Sequence, residues 1–158
     1  MPIDSKGYLT TPSDTSTEKV GVVGEIREHI DATHGKQFYR MVQNTSGADI
    51  AANVAVVFIS GSSTGAVALA GAAQPAAYVA GITQNIIPDT EYGWVCCGGN
   101  CTATSGSALA ANSLLSTIGA AGALEDTAVS GIEHCIVAVN PAVVASATTF
   151  TARVCNLT

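Results

Sequence analysis

Three thiols within six positions, in Cys96-Cys97-Gly98-Gly99-Asn100-Cys101, form the stretch whose residue types most directly invite chemistry. Thiolates bind zinc and act as nucleophiles. Structural zinc sites, however, draw on separated cysteine pairs or on cysteine–histidine sets. Neighbouring Cys96 and Cys97 on a strand would point to opposite faces and could hardly share one ion. No CxH pattern or adjacent basic residue stands beside them to depress a thiol pKa. The spacing therefore favours small buried thiols filling strand positions over a metal site, and no metal or cofactor is expected. Cys135 and Cys155 bring the cysteines to an odd five, and MPIDSKGYLTTPSD at the amino terminus contains no apolar h-region. Both observations predict reduced thiols and no secretory signal. The three Asn-x-Ser/Thr sequons, at Asn44, Asn100 and Asn156, are then chance matches in a Ser/Thr-rich chain.

The remaining reactive types are scattered. His29 and His34 lie five apart on a polar stretch, and His134 is far from both, so solvent-facing histidines are expected rather than ligands. Asp89, Glu91, Glu125, Asp126 and Glu133 fall in turn-like segments, where solvation alone would place them. A glycosidase-type carboxylate pair would need facing side chains in a cleft. Gly61-Ser62-Ser63-Thr64-Gly65 matches GxSxG, but it leads into an Ala/Val strand pattern rather than a helix, so it is no nucleophile elbow. The expectation is a protein that is not an enzyme.

The elements around these residues read as β-structure. Tyr78 to Val95, YVAGITQNIIPDTEYGWV, holds the only tryptophan and two of the four tyrosines. Two apolar runs flank Pro88-Asp89, where proline presets φ for a turn and aspartate can bond back to the backbone. Tyr78, Ile82, Ile86, Tyr92 and Trp94 are the expected core of this strand–turn–strand. In KQFYRMVQN, Phe38, Arg40 and Val42 would share one side, with Tyr39 and Met41 on the other. VAVVFIS reads as a strand covered on both faces, and HCIVAV and TTFTARVCNL as two more. Ser46-Gly47-Ala48-Asp49-Ile50-Ala51-Ala52-Asn53 is echoed by Ser105-Gly106-Ser107-Ala108-Leu109-Ala110-Ala111-Asn112. Each copy follows an aromatic-led strand and precedes an apolar one. The echo predicts a repeated β unit in which Ile50 or Leu109 plugs the core. Short strands with turn signals every 8–12 residues predict an all-β fold, a single compact barrel or sandwich-like domain.

Residues 1–34 are expected to form an extended amino-terminal arm and lead-in, and 35–158 the β domain. Within the lead-in, Val23, Ile26 and Ile30 have helical spacing, but Gly21 and Gly24 weaken a helix by about 1 kcal/mol each, leaving a short helix or a strand. Charged residues make up only 11% of the chain while 47% are hydrophobic, and the net charge is −6. Met41 to Ala152 contains no Lys or Arg, which argues against nucleic acid, since binding it needs a cationic footprint. The most apolar run, Ala66 to Ile82, is broken by Gln74-Pro75, so no membrane-spanning helix is expected. A weakly charged skin fits contact with other protein.

The order FYRMVQNTSGADIAANVAVVF, YVAGITQNIIPDTEYGWV, SALAANSLL, GALED and IVAVNPA resembles small β-rich head decoration, or capsid-cement, proteins of tailed bacteriophages. It covers roughly Gly35 to Ala145, and the three clustered cysteines depart from it. The resemblance implies a non-catalytic virion protein made in the host cytoplasm and located on the capsid surface. Its partners would be the major capsid protein and further copies of itself, with a trimer favoured. Such a protein would stabilise the assembled shell through many modest contacts. Ile3, Tyr8, Leu9, Thr10 and Thr11 would lie in an arm able to add a strand to a shell protein. Another virion part, a head fibre or tail component, is the nearest alternative. A carbohydrate- or receptor-binding β module is the alternative of another class, and it would need Tyr92 and Trp94 exposed.

Overall fold

The computed structural model describes residues 22–59, 66–69, 79–111, 113–115, 122–126, 136–138 and 144–155. Those residues are all β and turn, with no helix. The nine strands among the described residues are β1 (Ile26–Asp31), β2 (Gly35–Asn44), β3 (Ala55–Phe58), β4 (Ala66–Leu69), β5 (Val79–Thr83), β6 (Tyr92–Thr104), β7 (Leu114–Leu115), β8 (Ile136–Ala138) and β9 (Thr149–Val154). They form one sheet in the order β1-β2-β4-β3-β5-β6-β9-β8-β7. β2 also pairs with β6, so five strands curl until β2 meets β6, while the sheet as a whole stays open at its β1 and β7 ends. The expected sandwich-like all-β domain is found; a barrel closed along the whole sheet is not.

The expected repeat is visible in the hydrogen bonds. At the end of β2, Asn44 N donates to Glu91 O and Thr90 N to Asn44 O; Ile50 and Ile87 exchange two backbone bonds. At the end of β6, Ser105 N donates to Thr148 O and Ala147 N to Ser105 O; Leu109 and Val144 exchange two. Asn44 pairs with Val67 in parallel, as Ser105 does with Leu124. Thr90 and Ala147 both take the left-handed backbone, at φ 67° and 55°. Two units thus follow one plan, with β6 ending the first and beginning the second. The sequence echo aligns Ile50 with Leu109 correctly but misses that the first corner is two residues longer, so Asn44 rather than Ser46 plays the part of Ser105. Both side chains tie the corner down. Asn44 Nδ2 donates to Ala48 O and Ile87 O, and Ser105 Oγ reaches Ala145 O and Thr148 O.

Each unit closes over its own apolar cluster. In the first, β2, β3, β4, β5 and β6 contribute Val42, Val56, Val67, Ala80 and Val95, capped by Ile50 and Ile87. Ile87 lies so close to Gly93 that any Cβ there would come within 2.9 Å of it. The larger cluster, on the other sheet face, joins Tyr39, Met41, Trp94 and the thiols to Leu109, Leu124, Val144 and Phe150. The two units are cross-linked where Thr104 N donates to Asn53 O and Ala55 N to Gly122 O.

Of the expected core residues, Ile82 is fully buried and Trp94 is 3% exposed, whereas Tyr78 falls outside the described residues. Ile86 is corrected: it is 57% exposed, and Ile87 points inward instead. The residue opposite Ile50 must face in to complete the bridge, and its predecessor then faces out. Tyr92, at the mouth of β6, is only half-buried. The lead-in from Ile26 is a strand. Gly24, at φ +88°, turns the chain just before it, and Ile26 and Ile30 suit either period because four residues is both a helical step and an even number. The division at residue 34 therefore falls in the turn of the β1–β2 hairpin, and residues 26–31 belong to the sheet.

If Ile50 and Leu109 play equivalent parts, Ile50→Ala and Leu109→Ala should each cost about 3 kcal/mol in urea unfolding, within the range for emptied aliphatic core sites. Because the two residues sit in different clusters, the double variant should lose the sum.

Candidate functional site

The exposed apolar side chains that line up among the described residues lie on and just before β1. One edge of this strand is fully paired with β2, from Ile26↔Arg40 to Asp31↔Gly35; its other edge meets no described strand. Alternation divides the side chains. Arg27 and His29 face the core: the Arg27 guanidinium lies 5.4 Å from the Trp94 ring, its Nε bonds Glu25 at 2.9 Å, and His29 meets Tyr39 edge-on at 6.0 Å. These contacts fasten the strand. Ile26 and Ile30 face out, at 44% and 75% exposure, with Val22 also exposed just before them.

Beside this apolar row, Lys36 bridges Glu28 at 2.7 Å and lies over Phe38 at 5.2 Å. Arg40 opposite Ile26 is buried and lies 5.3 Å from the Phe58 ring. A strand edge that no described strand covers, lined with apolar side chains, has the features of a template for pairing with another chain. The hairpin that presents it is pinned at its turn. Backbone N–H groups of His34 and Thr33 donate to the Asp31 carboxylate at 2.7 and 2.8 Å, and with His34 Nδ1 at 3.0 Å they hold its pKa below the ordinary aspartate value.

The described thiols lie mostly in the core. Cys96, Cys97 and Cys101 are free and buried, Cys155 is free and exposed, and Cys135 and His134 fall outside the described residues. No group of three or more metal-binding side chains forms among the described residues. Cys96 donates its S–H to Gly98 O at 3.4 Å; the influence of Cys101 lowers the Cys96 pKa, while Cys96 and burial raise that of Cys101. Burial pushes Cys97 up to about 11. Tyr39, raised above its usual value chiefly by burial, keeps its proton and donates to Gln37 Oε1, and Gln37 Nε2 donates to Asn100 O.

The described carboxylates of the loops hold backbone. Asp89 Oδ1 accepts from Gly47 N rather than from its own turn, Asp49 Oδ1 from Asp89 N, and Asp126 Oδ2 from Ala110 N. Ile3, Tyr8, Leu9, Thr10 and Thr11, and the Gly61–Gly65 motif, lie outside the described residues. Sequence reasoning missed the β1 surface, although the alternation of Ile26 and Ile30 with Arg27 and His29 was available as a signal.

No family model and no curated protein matches the chain. Among solved structures it is similar in fold to the head fibre gp8.5 N base of bacteriophage phi29, with a TM-score of 0.54 at 12% identity, covering 73% of this chain and 92% of that one. At that identity the likeness is one of fold.

Trp94, enclosed beneath Arg27, should fluoresce in the blue and resist iodide quenching, and emission near that of free tryptophan would contradict its burial. In NMR titration the Asp31 carboxylate should protonate below the ordinary aspartate range, with the Thr33 and His34 amide signals moving together. Because the folded-state pKa is depressed, the turn's support is complete above that ordinary range and fades as the pH falls through the lowered value.

Proposed function

We propose that this chain is a non-catalytic structural protein of a bacteriophage virion, which binds the outer surface of the assembled head and stabilises it. The observation that carries this role is the fold shared with a phage head fibre base across almost the whole of that domain. The sequence resemblance to capsid decoration proteins points to the same part of the particle. The surface chemistry suits it: from Met41 to Ala152 the chain has no Lys or Arg, and its exposed large apolar residues include the row on β1.

In this role the major capsid protein and further copies of the chain, as a trimer, are the partners. Contacts that are modest singly become durable when repeated over a lattice, and a ligand that binds only the assembled state stabilises that state. Ile26 and Ile30 would supply apolar contact, and the β1 edge that no described strand covers would supply backbone donors and acceptors. The arm from Ile3 to Thr11 would add a second contact. The Trp94 ring lies in the core under Arg27 and offers no face for stacking on a sugar.

Purified chain mixed with phage heads that lack it should co-sediment at a fixed number of copies per particle and raise the temperature at which the heads open. Ile26→Glu with Ile30→Glu should weaken binding roughly tenfold or more, a loss of about 1.4 kcal/mol, without altering the β-sheet circular dichroism. Deleting residues 3–11 should lower occupancy as well. Co-sedimentation no greater than that of an unrelated acidic protein would overturn the role.

A further inference from the structure

The exposed row on β1 has a symmetry of its own. Along the strand, the side chains that face out belong to Ile26, Glu28 and Ile30, an order that is the same in both directions. The backbone of these three residues points to the edge away from β2. Met41 N donates to Glu25 O, so the trans peptide aims Ile26 N–H the other way, and alternation along the ladder gives Glu28 and Ile30 the same direction. No described strand takes those groups. Charge on the hairpin is balanced as well. Glu25, Glu28 and Asp31 stand against Arg27, Lys36 and Arg40, within a chain whose net charge is −6. Two copies of an acidic chain repel each other in general, but at this hairpin they do not.

We propose that the β1 edge is a two-fold contact between two copies of this chain, in which β1 pairs antiparallel with β1 of the other copy about an axis at Glu28. Opposite residues of an antiparallel pair carry their side chains on one face. Ile26 of each copy then meets Ile30 of the other, and the two Glu28 residues meet at the axis. Each residue of the row exchanges N–H and C=O with its opposite, so the edge is satisfied along its length. Two carboxylates face to face would oppose the contact. Each, however, is already held by Lys36 at 2.7 Å, and β2 sets Lys36 across from Ile30 on the flank of the joined sheet. The axis therefore gathers two acids and two lysines, with no net charge. A shift of one residue would set the exposed row of one copy against the core-facing row of the other. A shift of two would leave an isoleucine of each copy beyond the end of the other's strand.

A row that is the same in both directions fits a copy of itself, because a two-fold interface sets each residue i against j and each j against i. This assignment rests on reading β1 as a contact surface, and it names the occupant. A two-fold contact cannot close inside a trimer, so on a head it would tie neighbouring trimers together and add to their avidity.

The test is cysteine cross-linking of the full chain in solution, with no phage heads present, in a Cys155→Ser background that removes the exposed thiol. Cα atoms of hydrogen-bonded opposite residues lie about 5.5 Å apart, inside the disulfide range of about 4.4–6.8 Å. Mild oxidation of the Glu28→Cys chain should therefore give a covalent dimer on a non-reducing gel, reversed by dithiothreitol, while the Cys155→Ser parent stays monomeric. Ile30 is 75% exposed, which makes Ile30→Cys a stringent control. Across the axis it lies about 14 Å from its own copy, so it should cross-link at least about tenfold less. Ile26→Cys and Ile30→Cys chains, each inert alone, should cross-link when mixed, and this pair leaves the Glu28–Lys36 bridge intact. A Glu28→Cys chain that stays monomeric, a mixture of the two isoleucine variants that stays monomeric, or Ile30→Cys cross-linking as well as Glu28→Cys would each overturn the proposal. The first result is the one expected if another segment of the chain or a different protein occupies the edge. Such a failure would leave co-sedimentation with heads standing, and a failure to co-sediment would leave the dimer standing.

Discussion

Strand β6 has to serve two cores at once, and much of the molecule follows from how it does so. Its first half pairs with β2 on one edge and β5 on the other, and its second half pairs with β9. A straight strand of thirteen residues would run past both small units. The bulge at Cys97 and the left-handed Gly99 turn it, at the cost of an unpaired residue and a backbone conformation open mainly to glycine. Gln84 serves the edge of β6 away from β9, because its side-chain amide donates to Thr102 O and accepts from Thr102 N as a strand residue would. The concave side of the bend is where Cys96, Cys101 and Tyr39 gather. The most reactive-looking residues of the chain are therefore consequences of a bend in the shared strand.

The duplication explains why so small-featured a chain needs few large side chains. Each curl is narrow, and five strands each contribute one valine or alanine to the first core. Larger residues are spent where the two units and the β1 hairpin meet: Tyr39, Met41, Trp94 and Phe150 lie in the second cluster. Charge is spent sparingly and locally. Glu25–Arg27 and Glu28–Lys36 lie along β1, and the described loop aspartates satisfy backbone N–H groups. Pairs as exposed as Glu28–Lys36 add little stability, so β1 is held chiefly by its backbone ladder and by Arg27 and His29 against the aromatics.

Much of this was legible beforehand. Period-two alternation in FYRMV placed Tyr39 and Met41 on one side and Val42 on the other, as found, whereas Phe38, expected beside Val42, packs against the Tyr39 cluster. The two Ala-Ala corners announced the repeat because the same backbone problem, a plug followed by a tight corner, calls for the same residue types. What escaped was whatever depended on register. Ile86 and Ile87 are equally apolar, and only the bridge to Ile50 decides which of them turns inward. Ile26 and Ile30 fitted two periods, and only pairing with β2 chose the strand. The fold likeness to a phage head fibre base came from structure alone, since at 12% identity two chains can share packing without sharing visible sequence.

By itself, then, the sequence determined the secondary-structure class, the doubling of the unit and the scarcity of charge, because alternation, turn residues and composition act over short stretches of chain. The tertiary structure decided which apolar residues are covered, where the second unit takes over from the first, and that Cys96 and Cys101 share one core cluster. Those outcomes depend on strand register and on one bulge. A shift of a single residue reverses every side chain beyond it, and no local pattern records which shift the rest of the sheet will impose.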